Sequence, residues 1–535
     1  MVRAVSAKNF RSFALNTLFA GVGGATFYAA NPPIACWPLA LFSLALLFLI
    51  SLHTRPKSAF LFGWIWGALY FYLLFDWAEI AASLLAARLA LAAIEALFIG
   101  LCTSLWALFY RRLLPLNFSA PPWQKLLLLA GGDSLLWVAT EQLRSAVPYG
   151  GMPWGNTAFI FVDAPLLHLA PWGSIQLVSF TAVFIGILLG YALKQLREKQ
   201  IFRSGRAVVG AVLLLVLPLL LPSGAVAAQN LRVGIVQGNV PDVAKLAPGE
   251  SRALIVTENH LQATYLIADQ NPDLVLWPES ASDRNFRRDY AAGKMVEKAV
   301  SAIAPAPLLL GTQNYFSNVR TNDYVAIDKS GIIDSYSKQH PVPFGEYLPL
   351  RNFISRFVSA AEEISTDMVP GSAPAQLQVK IPARANNSAQ MIQIGTPICF
   401  EVAYTNIVAQ AAKNSQLLVV PTNNASFGNS GEPFQQFAMS RFRAAEHQKS
   451  TLQVSTSGVS GIIAPSGKVL YQSKLDVPAA QIQEIALNSH VTLATKSYKI
   501  RTIITYLGGG ALLFYIVFTP ERWRMRRARA SRKNN

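Results

Sequence analysis

Long apolar runs dominate the first 222 residues and return once near the end of the chain. They cover roughly 12–30, 33–52, 58–79, 89–109, 125–143, 172–193, 207–222 and 502–518, each near the length a helix needs to cross a bilayer. The pattern predicts about eight transmembrane helices, seven before a long polar segment and one after it. Pro218 and Pro222 interrupt the end of the seventh. The first run is expected to be an uncleaved anchor, because a second follows at once and no small-residue cleavage site clearly ends it.

The segment between the seventh and eighth runs has a different rhythm. Short β-branched runs at 231–240, 273–280, 306–315, 391–400 and 415–424 alternate with helix-like pieces such as 250–270 and 433–449. Strands alternating with helices predict an α/β domain around a buried sheet, and its length is ample for one core. The expected division is a membrane domain at 1–222, an α/β domain at 223–500, and a final helix with a basic tail at 501–535. Residues 351–390 fit less well and read as an amphipathic helix followed by a loop. Such a piece is either a surface insertion or a lid touching the bilayer through Phe353, Ile354 and Phe357.

Composition supports this division: 52% of the 535 residues are hydrophobic and only 14% charged, as expected of an integral membrane protein with a soluble part. The net charge of +17 first suggests nucleic acid, but the placement of the basic residues argues against it. Three lie in the N-terminal tail, two near Arg55, three between Arg111 and Lys125, five between Lys194 and Arg206, and seven in the C-terminal tail, against Glu198 and Glu521 alone. All of these fall on alternate connections. The positive-inside rule then places both termini in the cytoplasm and 223–500 outside it. Three cysteines without a CxxC pair point to neither a disulfide framework nor a zinc site; no metal or cofactor is expected.

Within the α/β segment a carboxylate, an amine and a thiol each lie beside a strand-like run. Glu279 closes "LVLWPES", Lys338 sits in "SYSKQHPVPFGEYLP", and Cys399 closes "IQIGTPIC" before a helix-like stretch from Ala403. Taken singly, a lone cysteine is usually a small core residue and a loop lysine is usually solvated. Strand ends of open α/β sheets gather catalytic groups, so the three can converge. Glu279 can take the thiol proton, Lys338 can stabilise an oxyanion, and Cys399 can be the nucleophile. A position at a helix start would also favour the thiolate.

The stretches "LVLWPES", "YSKQHPVPFGEYLP" and "PICFEVAY" resemble the Glu, Lys and Cys signatures of the nitrilase superfamily of carbon–nitrogen hydrolases. The "VPFGEYLP" wording, the seven-plus-one arrangement of spans, and "GGMPWGNTAF" look like the apolipoprotein N-acyltransferase family of Gram-negative bacteria. The resemblance implies an αββα nitrilase-like sandwich in the periplasm, carried by a helical domain of the inner membrane. It implies Glu279 as general base, Lys338 as stabiliser of the tetrahedral intermediate and Cys399 as nucleophile. Glu346 matches a second family glutamate, Phe400 and Glu401 the two residues after the nucleophile, and Trp154 a tryptophan between spans five and six. The implied reaction takes an acyl chain from a phospholipid onto Cys399 as a thioester and passes it to the N-terminal amine of a diacylglyceryl-apolipoprotein. Phe400 replaces a common tyrosine, and Ser426 and Leu246 stand where tryptophans are usual.

Two other readings compete. A membrane-anchored amidase or nitrilase would use the same triad with water as acceptor. A transporter would use intramembrane carboxylates, and Glu95 and Asp133 lie within expected spans. The two carboxylates show no obvious basic partner in the sequence, which disfavours transport.

Overall fold

The computed structural model describes residues 2–113, 122–222, 229–241, 246, 250–351, 366–383 and 388–518, with side chains from Ser12 onward except His53. Helices occupy all eight expected positions. They are α1 (Val2–Ala29), α2 (Pro38–His53), α3 (Pro56–Leu74), α5 (Leu85–Leu113), α6 (Pro122–Arg144), α7 (Ala170–Arg197), α8 (Ile201–Val216) and, after the α/β segment, Tyr498–Phe518; a short additional helix, α4 (Asp76–Ala82), lies between α3 and α5. Among the described residues, five spans are long and apolar enough to cross a membrane: α3, α5, Pro165–Arg197, Ile201–Leu220 and Tyr498–Phe518. The seventh helix begins six residues before the apolar run, so Arg203 and Arg206 lie on its first turns. Its end tightens into a 3-10 turn at Leu217–Leu220, where Pro218 removes an amide donor.

Small residues set the closest helix contact of this bundle. A Cβ at Gly63 of α3 would fall 2.2 Å from Thr103 Oγ1 of α5, and one at Gly67 would meet Ala96 Cα at 3.0 Å. The Gly-x3-Gly spacing lets the two backbones approach, the usual device where water supplies no driving force between helices. Arg144, at the end of α6, is buried and forms a 3.0 Å ion pair with Glu95 of α5. The expectation of a partnerless Glu95 is therefore corrected: an arginine 49 residues away reaches it, a pairing that span-by-span reading does not expose. The same guanidinium donates to the carbonyls of Met152 and Trp154 and to Asn156 Oδ1. The pair thus holds the connection after α6 rather than an ion path.

The α/β part contains two sheets. The first comprises β1 (Gln229–Gln237), β2 (Leu274–Leu276), β3 (Leu308–Phe316), β4 (Val319–Asp328), β5 (Gly331–Ser337) and the two-residue β6 (Asp367–Met368). The second comprises β7 (Gln376–Ile381), β8 (Gln390–Gly395), β9 (Leu417–Thr422), β10 (Thr451–Ser455), β11 (Gly461–Ile463) and β12 (Val469–Gln472), while β13 (Ala479–Leu487) returns to pair with β1. The strand orders are 13-1-2-3-4-5 and 12-11-10-9-8-7, with parallel centres (β1–β2–β3 and β8–β9–β10) and antiparallel outer strands, while the short β6 pairs with β4 in parallel. Parallel strands buried on both faces read as continuous apolar runs, which is why the central strands were visible in the sequence.

Alternation sorts each strand between two layers. Val233, Ile235, Leu274 and Leu276 join Leu377, Ile394, Val419 and Leu452 in a core between the sheets. Val236, Val275, Leu308 and Leu310 instead pack under α9 (Arg252–Tyr265) and α10 (Tyr290–Ile303). On the far side, Leu418 packs under α11 (Thr405–Lys413), and Ile463 packs with residues of α12 (Glu432–His447). The result is the expected αββα sandwich. The expectation for 351–390 is partly corrected: 367–368 and 376–381 are strands, and β7 closes an edge of the second sheet. The proposed lid residues Phe353, Ile354 and Phe357 lie outside the described residues.

Candidate active site

Glu279, Lys338 and Cys399 follow the ends of β2, β5 and β8, and all three are buried. Glu279 sits on a tight crossing, because a Cβ at Gly311 of β3 would come within 2.6 Å of Glu279 Cα. Its Oε1 accepts from Asn322 Nδ2 (2.6 Å) and from Lys338 Nζ (3.4 Å), and its Oε2 from the Asn423 amide (2.8 Å). Every one of these partners is a donor, so both carboxylate oxygens act as acceptors.

Lys338 is only 1% exposed. Its Nζ donates to Glu346 Oε1 at 2.6 Å as well as to Glu279, and Glu346 Oε2 accepts from the Val342 amide (2.7 Å). Burial alone would favour the neutral amine. The Glu346 and Glu279 carboxylates outweigh it and raise the Lys338 pKa above the ordinary lysine value. The amine is therefore a fixed cation, an electrostatic group rather than a base.

Cys399 opens a five-residue 3-10 turn, Cys399–Ala403, four residues beyond the end of β8. Its φ is +54°, in the left-handed region, which costs a non-glycine residue about 1–2 kcal/mol and marks an enforced turn. The sulfur accepts from Thr422 Oγ1 (3.3 Å) and Gln436 Nε2 (3.6 Å). The expected thiolate at a helix start is corrected here. Burial first, and the Glu279 charge second, push the thiol above its ordinary pKa, with Lys338 opposing. The short turn supplies little dipole to offset this, so the thiol needs a base. Cys36, by contrast, is the exposed cysteine.

The two residues after the cysteine face different neighbours. The Phe400 ring stacks on Trp154, which also donates from Nε1 to Gln435 Oε1 at 2.7 Å. Trp154 belongs to the connection gripped by Arg144, so the N-terminal helices reach the Cys399 turn. Glu401 does not face the thiol. Its carboxylate accepts from Tyr336 OH (2.9 Å), the Gln339 and His340 amides (2.6 and 3.0 Å) and the Ile398 amide (2.8 Å), tying the lysine loop to the cysteine turn. Burial pushes Glu401 up to about 7 against those donors. Ser426 lies in a 3-10 turn whose Phe427 packs edge-on to Trp77 at 5.6 Å, so an adjacent residue supplies an aromatic ring there.

Asn322, Thr422 and Gln436 were not singled out from the sequence. Asn322 lies on β4, which lacks a clear apolar run. Thr422 lies in the strand-like run at 415–424, where "TNN" at its end was the available signal. Gln436 lies on a helix buried nearly all round, so no periodicity distinguishes it.

Residues 23–188 match the family described as apolipoprotein N-acyltransferase N-terminal domain, and residues 232–492 match the carbon–nitrogen hydrolase family. The apolipoprotein N-acyltransferase of Azotobacter vinelandii is 31% identical over 477 residues, spanning 84% of this chain and 86% of its own. That of Pseudomonas aeruginosa is 30% identical over 484 residues (85% and 87%), and that of Mycolicibacterium smegmatis 30% over 551 residues (95% and 86%). Likeness of this extent runs through both the helical bundle and the two-sheet sandwich, and on it the chain belongs to the apolipoprotein N-acyltransferase family.

Proposed function

We propose that this chain transfers an acyl chain from a phospholipid, by way of a thioester on Cys399, to the N-terminal amine of a diacylglyceryl-apolipoprotein. The observation that carries this reading is the buried Lys338, bonded to both Glu279 and Glu346 in the site that holds Cys399. In the first half-reaction the sulfur attacks the ester carbonyl carbon while Glu279 takes the thiol proton. Lys338 and the Phe400 N–H stabilise the oxyanion. Collapse breaks the ester C–O bond, Glu279 returns the proton to the departing alkoxide, and the lysophospholipid leaves.

In the second half-reaction the acceptor amine attacks the thioester. Glu279 takes the amine proton, the same groups hold the oxyanion, and the C–S bond breaks to give the amide and, after proton return, the thiol. Residues 1–222 and the helix within 501–535 form the membrane part in this reading, with 223–500 as the catalytic domain. Basic residues on alternate connections support cytoplasmic termini and a periplasmic catalytic domain in the inner membrane. Such placement keeps both lipid substrates beside the thiol without leaving the bilayer, which lowers the entropic barrier.

The test is a mass spectrum of protein purified from membranes. An acyl adduct on the Cys399 peptide is expected, lost in Cys399→Ala. Thioester in that variant would sink the assignment. Release of free fatty acid or ammonia instead of amide product would favour the hydrolase reading.

A further inference from the structure

Gln436 projects from α12 into the thiol site and is fully buried. Its Oε1 accepts from Thr422 Oγ1 (2.9 Å) and from Asn424 Nδ2 (2.9 Å). Asn424 is itself oriented, since its Nδ2 also donates to Glu432 Oε2 (2.7 Å) and its Oδ1 accepts from Ser455 Oγ (2.6 Å). Flipping the Gln436 carboxamide would set its NH2 against the Asn424 NH2, donor against donor. The network therefore leaves the nitrogen end facing Cys399 Sγ, at 3.6 Å.

We propose that Gln436 is a catalytic residue whose side-chain N–H donates to the sulfur whenever it carries negative charge. This rests on the acyl-transfer reading. The sulfur gains charge twice, when it gives its proton to Glu279 on attack and when it leaves from the second tetrahedral intermediate. Gln436 keeps its own protons throughout. A neutral, pre-oriented donor suits this place, because a second cation beside Lys338 would stabilise the resting thiolate against an acyl carbon as well as the transition state. Thr422 Oγ1 points its hydroxyl at both groups, 2.9 Å from Gln436 Oε1 and 3.3 Å from the sulfur, so its single hydrogen is shared between them.

The test uses full-length protein in detergent and follows the Cys399 peptide by mass spectrometry during alkylation with iodoacetamide across pH. Gln436→Met fills the volume without a donor, and Gln436→Asn keeps an amide too short to reach the sulfur, which guards against a variant that does not accumulate. Both are expected to move the alkylation midpoint up by about one to two pH units. Both should slow single-turnover acylation and transfer roughly tenfold to a hundredfold each, the range for a hydrogen bond to a charged group. A midpoint at the wild-type value, whatever the rates, overturns the proposal and leaves Gln436 a packing residue. A shifted midpoint with both rates at wild-type level overturns it too. A shifted midpoint in a protein whose wild type transfers no acyl chain would instead refute the acyl-transfer reading while leaving the Gln436–sulfur bond in place.

Discussion

The rings of Trp154 and Phe400 lie 8° from parallel with centroids 5.4 Å apart, one in the connection between α6 and α7, the other next to Cys399. Because Phe400 is bonded to Cys399, anything that lets its ring move also loosens the turn. Trp154→Ala should slow Cys399 acylation about tenfold and lower the unfolding temperature in detergent, since it removes a buried indole worth about 3–5 kcal/mol. Trp154→Phe keeps a stacked ring and should retain most activity. An alanine variant acylating at the wild-type rate would separate the membrane connection from the chemistry.

Lys338 carries the most discriminating test. Lys338→Met keeps the stem's bulk and deletes the charge between Glu279 and Glu346. In the proposed reaction both half-reactions pass through an oxyanion, so each should slow by roughly a hundredfold to a thousandfold. Single-turnover measurement of thioester formation, and separately of transfer from preformed thioester, gives both values. A rise confined to the donor KM would make Lys338 a head-group binder.

Glu401→Gln puts an NH2 where the carboxylate accepts four donors. It should destabilise the protein by about 1–3 kcal/mol through the unpaired amides and slow acylation by loosening the lysine loop. Tyr336→Phe removes one donor of the set and should have the smaller effect. Thermal unfolding of the two variants side by side checks this order, and equal losses would refute Glu401 as the group that ties the lysine loop to the cysteine turn.

Glu432, fully buried at the start of α12, is pushed up to about 8 by burial, with the Asn424 hydrogen bond opposing. Its folded value exceeds the ordinary 4.5, so below that pH it is neutral in both states and carries no penalty. Between about 4.5 and 8 the unfolded chain ionises while the folded one stays protonated, and stability falls as pH rises. Glu432→Gln abolishes that slope. The unfolding temperature of the variant minus that of the wild type should therefore grow from pH 5 toward pH 8 and then level off. A difference independent of pH would contradict a neutral Glu432.

Local sequence determined the elements whose burial is uniform or whose signals are contiguous. The apolar helices were readable because a helix long enough to cross a membrane must be apolar over most of its length, and the central strands because each face of their sheets is covered. Glu279, Lys338 and Cys399 were readable because each follows directly on such a strand or sits in a recognisable motif. Edge strands are less covered: β7 alternates buried and exposed positions, and β12 and most of β13 are only half-buried or exposed, so their mixed polar pattern looks like loop. Only the tertiary structure decided which distant groups meet. Arg144 reaches Glu95 across two helices, Asn322 and Lys338 share one oxygen of Glu279, and Gln436 turns its nitrogen to the sulfur because two partners hold its oxygen. The upward push on the Cys399 thiol likewise came from folding: the sequence called for a base and offered a helix start as a further aid to the thiolate, but thiol ionisation depends on surrounding water and charge, and these are set only once the chain closes around it.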